Sequence, residues 1–529
     1  MTSTFAGTAA LLRLGWRRDR WIITAAVLTM AATAYGSMAA TLDLYPDDTL
    51  AAAGARVMAE NPSVTALYGP LPSLTAAGVG VLKTIMMGSL FAAFLAFALV
   101  RRHTRTEEEE GRFELVGGGV VGRRAPLAAA VCLALLSVLA TGVLCALALL
   151  PTGVDPVGAV ALGVTILVAG LVMAGITAVA VQLTATTRGA GGIALAALGL
   201  AFVVRAGADT SERGQDLVYA SFLGWAERVS PFGDNRLWMV VPAVALTALL
   251  LVAADALLQR RDLGAGLWAA RPGPARASSR LGTPFGLAWR LQRGALLGWT
   301  IAYAVLGSVV GSLASSVADI ASSPGMEQML RKMSGGQGSI LEVFFGTELR
   351  FMAIGVAAFG ITTALRLHSE ENAGRAEVVL ATRVSRWRWL ASHVVIAMGG
   401  ALWLLLVGGA SAGASAGAVS STGVGELLPA ALATAPAVLV CVGLTVTLFG
   451  LVPRLTPLAW ALLAAFVLLG EFGALLELPA WVMGLSPFDH LGSLPGGDAN
   501  PAGLVGLLAV ATAVTAVGAL AFRRRDIAT

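Results

Sequence analysis

The amino-acid sequence predicts an all-α polytopic membrane protein: twelve transmembrane helices forming two parallel six-helix repeats, with the N- and C-termini in the cytoplasm. Three observations carry this. The 529 residues are 57% hydrophobic and only 13% charged, with a mean hydropathy of +0.79; an average soluble domain is about 45–50% apolar and about 25% charged. The apolar residues gather into runs of the roughly 20 residues that a helix needs to cross about 30 Å of hydrocarbon. Short motifs in the loops also occur twice in the same order. Such a composition excludes a disordered or collagen-like chain. The net charge of +5 belongs to loop topology and implies no nucleic-acid partner.

The candidate spans lie near 21–41, 76–100, 127–150, 158–185, 190–206, 238–258, 296–318, 347–366, 390–411, 427–450, 457–476 and 501–522. The first follows Arg17, Arg18 and Arg20 as a signal peptide would. It is long, lacks a convincing cleavage site and leads straight into further spans, so it reads as a retained helix. A cytoplasmic N-terminus places the clusters Arg13–Arg20, Arg101–Arg124, Arg260–Arg293, Arg366–Arg388 and Arg523–Arg525 inside, and with them most of the 36 Lys and Arg residues. That is the positive-inside bias, and twelve spans return the C-terminus to the same side. Cys132, Cys145 and Cys441 sit within apolar runs, and four histidines are scattered. Neither a disulfide framework nor a metal or catalytic cluster is expected.

Internal similarity supports a duplication. After the second span stands Thr106-Glu107-Glu108-Glu109-Glu110-Gly111-Arg112-Phe113-Glu114, and after the eighth Ser369-Glu370-Glu371-Asn372-Ala373-Gly374-Arg375-Ala376-Glu377. Three further pairs agree in order: Leu14-Gly15-Trp16-Arg17 with Leu287-Ala288-Trp289-Arg290, Ser230-Pro231-Phe232 with Ser486-Pro487-Phe488, and Arg260-Arg261-Asp262 with Arg524-Arg525-Asp526. The expected division is a first repeat over 1–262, a cytoplasmic linker over 263–284 and a second repeat over 285–529. An even number of spans in each makes the repeats parallel.

Each repeat begins with a stretch mixing Leu, Trp and Arg, around 8–20 and 285–293. Trp16, Arg17 and Arg20, and Trp289, Arg290 and Arg293, suit an amphipathic helix lying at the cytoplasmic interface. On the outer side, 42–75, 207–237, 319–346 and 477–500 are long enough to form a cap, with a helix over 49–60. The Gly-, Ala- and Ser-rich tract 408–424 reads as a frayed helix end and outer loop.

The duplicated acidic loop is the strongest functional signal. Its second copy retains Glu-Glu, Gly-Arg and the final Glu while losing the rest of the acidic run, so these residues are expected to serve docking. Glutamates in the first turn of a short helix are favoured by its dipole and offer negative charge to a basic partner. Arg112 and Arg375 are expected to fold back on Glu108 and Glu371 at i,i+4. Two such elements related by a pseudo-two-fold axis would suit a symmetric dimeric partner. The chain itself lacks a P-loop: Lys83 follows Leu82, and Met333 follows Lys332.

The loop Arg102-His103-Thr104-Arg105-x-Glu-Glu-Glu-x-Gly-Arg-x-Glu-Leu resembles the cytoplasmic signature of actinobacterial ABC exporter permeases of the polyketide or polyether antibiotic exporter group. Tyr45-Pro46, Asn61-Pro62, Ala66-Leu67-Tyr68-Gly69-Pro70 and Trp289-Arg290-Leu291-Gln292-Arg293-Gly294 are similar too. The resemblance implies a bacterial plasma-membrane permease of two fused six-helix halves, served by two copies of a separate ATP-binding subunit that hold the ATP and Mg. No cofactor is implied in this chain. By the resemblance, the loop after the second helix of each half is a coupling helix, carried by Glu107, Glu108, Gly111, Arg112 and Glu114 and by Glu370, Glu371, Gly374, Arg375 and Glu377. The second copy lacks the full Arg-His-Thr-Arg lead-in, so unequal docking contacts are expected.

Within the spans, Arg205 and Glu471 are the ionisable groups of interest, because charge at membrane depth is costly. Either they pair as a gate or structural contact, or Arg205 snorkels to the interface and Glu471 faces a wet cavity near the end of its helix. With acids concentrated in loops, the pathway reads as apolar, suited to a hydrophobic or amphipathic cargo. The alternative is a proton-coupled secondary efflux transporter, which would be expected to carry buried carboxylates in its spans.

Overall fold

The computed structural model describes residues 4–46, 48–59, 62–113, 121–209, 215–268, 275–314, 340–420, 422–472, 479–492, 495 and 500–526. Among them are twelve helices long and apolar enough to cross a membrane, and no β-strand. The chain divides into two compact units, Met1–Gly273 and Pro274–Thr529.

The first unit holds α1 (Thr8–Leu44), α2 (Ala76–Arg101), α3 (Ala125–Leu149), α4 (Pro156–Leu183), α5 (Thr187–Asp209) and α6 (Val240–Arg260). α4 is the hub, packed against α2, α3, α5 and α6. It starts where the Asp155 carboxylate accepts from the Gly158 N–H, with Pro156 in the first turn. Its hydroxyls Thr165 and Thr177 bond back to the carbonyls of Ala161 and Met173, so neither is stranded in the apolar interior. α3 and α4 meet at Gly142 and Gly163. A methyl group on Gly142 would stand 2.6 Å from the Gly163 carbonyl oxygen, so this crossing needs glycine for its closeness.

The second unit holds α7 (Pro284–Ser312), α8 (Ile340–Ala364), α9 (Arg386–Ala416), α10 (Ala435–Leu451), α11 (Ala459–Phe472) and α12 (Pro501–Arg524). α10 packs against α8, α9, α11 and α12, and α7 lies along α9 as α1 lies along α3. Polar caps start these helices too: Thr283 caps α7, Ser385 caps α9 and Asn500 caps α12.

Several boundaries differ from expectation. Residues 8–20 and 285–293 run without a break into the spans that follow, as the first turns of α1 and α7. Trp16, Arg17, Arg20, Trp289, Arg290 and Arg293 are exposed there, while Gly15, Asp19, Ala288 and Gln292 form a buried stripe. No proline interrupts either stretch, so the helix runs through. The tract after Gly408 stays helical to Ala416, because its small residues pack against the helix Val424–Ala433. That helix and α10 meet at Thr434, where Pro429 and Pro436 interrupt what reads as one span. The helix expected over 49–60 is present as Asp48–Ala59 and is followed by Pro62–Tyr68.

Candidate functional site

In the first unit α2 runs into a π-helical turn, Arg102–Thr106, and then a single α-turn, Glu107–Glu109. Three consecutive residues on a helical turn point about 100° apart, and these three glutamates reach three different neighbours. Glu107 accepts from Arg18 of α1 and from Arg112, the latter at 3.2 Å. Glu108 receives Arg261, at the end of α6, in a two-pronged contact of 2.6 and 3.0 Å. Glu109 accepts from the Thr187 N–H at 2.6 Å, an anion at the N-terminus of α5.

The Glu108 carboxylate is the centre. It also accepts from the Gly264 N–H at 2.6 Å and pairs with Arg105 at 3.1 Å. Arg261 donates through Nε to Gln182 of α4 at 2.7 Å. Arg105, fully buried, donates to the Val181 carbonyl at 3.0 and 2.6 Å and to that of Ala265 at 3.2 Å. Nearby, Asp19 of α1 is held by Arg102 at 3.0 Å and His103 at 2.7 Å. The turn is therefore fastened to α1, α4, α5 and the end of α6. Buried charge is tolerated here because each carboxylate and guanidinium finds several partners.

The second unit builds the same joint with fewer parts. The helix Arg366–Asn372 carries Glu370 and Glu371. Glu371 receives Arg525, past the end of α12, in a two-pronged contact with both distances 2.6 Å. Glu370 is held by Arg375 at 2.8 Å and Arg366 at 2.7 Å. Arg525 lies over the rings of Phe449 and Phe522, 5.0 and 5.1 Å from their centres. Those rings pack with Trp389 and the buried Leu367.

A glycine turns each motif. Gly111 and Gly374 adopt φ of +73° and +67°, and their N–H groups bond to the carbonyls of Glu108 and Glu371. This left-handed stop sends the following arginine back toward the helix. It also corrects the expected pairing: Arg112 meets Glu107 rather than Glu108, and Arg375 meets Glu370 rather than Glu371. The i,i+4 rule assumes a continuous helix, and the turn shifts the contact to i,i+5. Consequently Glu108, Glu370 and Glu371 are buried, their charge spent within the unit and not offered outward. What stays exposed is Glu109, Glu110 (paired with Arg112), Ser369, Asn372, Ala373, Gly374, Arg375, Glu377 and Val378. Glu114 lies outside the described residues.

Sequence reasoning noted the duplicated Arg-Arg-Asp motif but not that its second arginine clasps the second glutamate of the acidic loop. The signal was there: two motifs of opposite charge, each following a span, each retained in both copies.

Arg205, near the far end of α5 from the Thr187 contact, is fully buried and donates to the carbonyls of Thr65 and Leu67 at 3.4 and 3.2 Å. Its acidic partners are Asp209 and Glu227, each 3.5 Å away, and Arg228 closes the cluster on Asp209 at 3.1 Å. Burial first, and then the neighbouring Asp209 carboxylate, push Glu227 well above the ordinary carboxylate range. The Glu471 side chain, its expected partner, lies outside the described residues.

Residues 281–523 match the family described as multidrug efflux system permease Rv1217c, C-terminal domain. The chain is 40% identical over 533 residues to the multidrug efflux system permease protein Rv1217c of Mycobacterium tuberculosis (strain ATCC 25618 / H37Rv), covering 99% of this chain and 96% of that protein. Extended over nearly the whole length, that likeness places this multi-pass plasma-membrane chain in a defined group: it belongs to the Rv1217c family of multidrug efflux system permeases.

Proposed function

We propose that the chain is the permease of an ATP-driven exporter. It moves hydrophobic or amphipathic small molecules out of the cell and is powered by two copies of a separate ATP-binding subunit, which hold the ATP and Mg. The observation that supports this best is the duplicated joint. In each unit the turn after the second helix is fastened by a buried glutamate to an arginine at the end of the sixth. A turn so fastened cannot be displaced alone, so a push on its exposed edge moves the helices it is tied to. In this reading both joints face the cytoplasm. The partner grips Glu109, Glu110 and the Gly111 turn in one unit, and Asn372 to Val378 in the other. The family relative is named for multidrug efflux, and the sequence contains no P-loop of its own.

A second reading, proton-coupled efflux, draws on the buried Asp209–Glu227 pair, a carboxylate site of the kind that coupling to protons requires. Proteoliposomes containing the chain and its ATP-binding subunit separate the two. The expected result is cargo-stimulated ATP hydrolysis and transport without a pH gradient, both lost in Glu110→Lys/Glu377→Lys. Uphill transport by the chain alone, driven by a pH gradient, would overturn the ATP-driven reading.

A further inference from the structure

Between α1 and α3 of the first unit runs a groove of about 580 Å³. Its walls are aliphatic, including Val27, Leu28, Leu136, Ala140 and Leu144, and its α1 end is marked by Arg13 and Trp16. Leu28 and Leu136 are each 55% exposed, so the groove opens sideways, toward the space that hydrocarbon fills around a membrane helix. From Arg13 to Leu28 the helix rises about 22 Å, comparable to one extended long acyl chain. Arg13 is exposed and has no ion pair among the described residues, and Arg17 stands one turn further on, also exposed. An indole and a cation at one end of an apolar trough, with a second exposed cation one turn along α1, match the boundary between lipid tail and headgroup.

The second unit treats the same place differently. Counted from the matched arginines Arg123 and Arg386, each of which donates to carbonyls at the end of its unit's last helix, Trp403 stands at the register of Ala140. Counted from Arg17 and Arg290, Thr300 stands at that of Val27. The Trp403 indole N–H donates to the Thr300 hydroxyl at 3.0 Å, bridging α7 and α9. An aromatic side chain thus spans the seam in one unit, and the other leaves it to two small aliphatic residues.

We propose that the groove between α1 and α3 holds a resident anionic phospholipid, one acyl chain along Val27 and Ala140 and its phosphate at Arg13 and Arg17. A zwitterionic lipid gains less from this pair of cations, because its own ammonium opposes them.

The test uses the full chain in nanodiscs of equal phosphatidylglycerol and phosphatidylcholine, released into mild detergent and read by native mass spectrometry. Retained lipid is expected to be enriched in phosphatidylglycerol by roughly thirtyfold, from two arginines at the membrane surface. Arg13→Gln/Arg17→Gln should bring the two lipids to parity, and Ala140→Trp, which copies the second unit, should remove the retained lipid. The two surface glutamines decide the matter even where the tryptophan variant fails to fold. Equal retention of both lipids by the unaltered chain, or undiminished phosphatidylglycerol preference in the double glutamine variant, overturns the proposal. So does displacement of both lipids by an export substrate, which would make the groove a cargo site.

Discussion

In the first unit the glutamate–arginine pair sits inside a lattice of directional hydrogen bonds: Arg105, Gln182 and the Gly264 N–H all aim at Glu108 or Arg261. In the second unit the same pair rests on a shelf of two phenylalanine rings. The contact shared by both is the two-pronged one between carboxylate and guanidinium, and the supports around it differ. A lattice of hydrogen bonds fixes orientation, whereas attraction to an aromatic face changes little as the cation slides. The comparison therefore predicts a rigid joint in the first unit and a swivelling one in the second.

The sharpest way to break the comparison is Glu108→Gln. It strands two buried guanidiniums, and the expected loss is about 3–5 kcal/mol of stability, read as a lowered melting temperature in detergent and as faster hydrogen exchange in the first unit. Glu371→Gln should cost less, about 2 kcal/mol, because Arg525 keeps its aromatic seat; exchange should rise in the second unit only. Equal losses from the two variants would dismiss the distinction between lattice and shelf. Phe449→Leu thins the shelf; because Phe449 is itself fully buried against Trp389 and Phe522, its expected cost of about 1–2 kcal/mol combines lost packing with the lost cation–π contact, with an increase in exchange at Arg366–Asn372.

pH sharpens the comparison from the other end of the first unit. Glu227 binds its proton more tightly folded than unfolded. Its contribution is therefore complete below the ordinary carboxylate range and is lost as pH rises through its raised value. Melting curves should shift down on the alkaline side, and Glu227→Gln should flatten that dependence. An unchanged slope in the variant would remove Glu227 as its source.

Twelve helices were legible because span length and loop charge are properties of composition, and both survive any packing arrangement. The joint was legible in part. Glu107, Glu108, Glu370 and Glu371 stood out as a duplicated loop, and Arg261 and Arg525 as a duplicated helix end. Their meeting depends on which helix ends lie together, and spacing along the chain does not carry that. The i,i+4 pairing failed at Gly111 and Gly374 because a left-handed residue resets helical periodicity. For Arg205, Asp209 was readable four residues on along the same helix, but Glu227 arrives from a separate segment that only folding brings near.

The two glycines have one further consequence. Apart from the two adjacent residues, no described atom stands within 4 Å of the place a Cβ would occupy on either. Space is thus no obstacle, and the objection to any other residue is one of handedness alone. L-alanine at either position pays the left-handed backbone penalty of about 1–2 kcal/mol. Its mirror image, D-alanine installed by semisynthesis, would fit without that penalty and would stiffen the bend, turning a position where an L side chain is strained into one where chirality can be used to lock it.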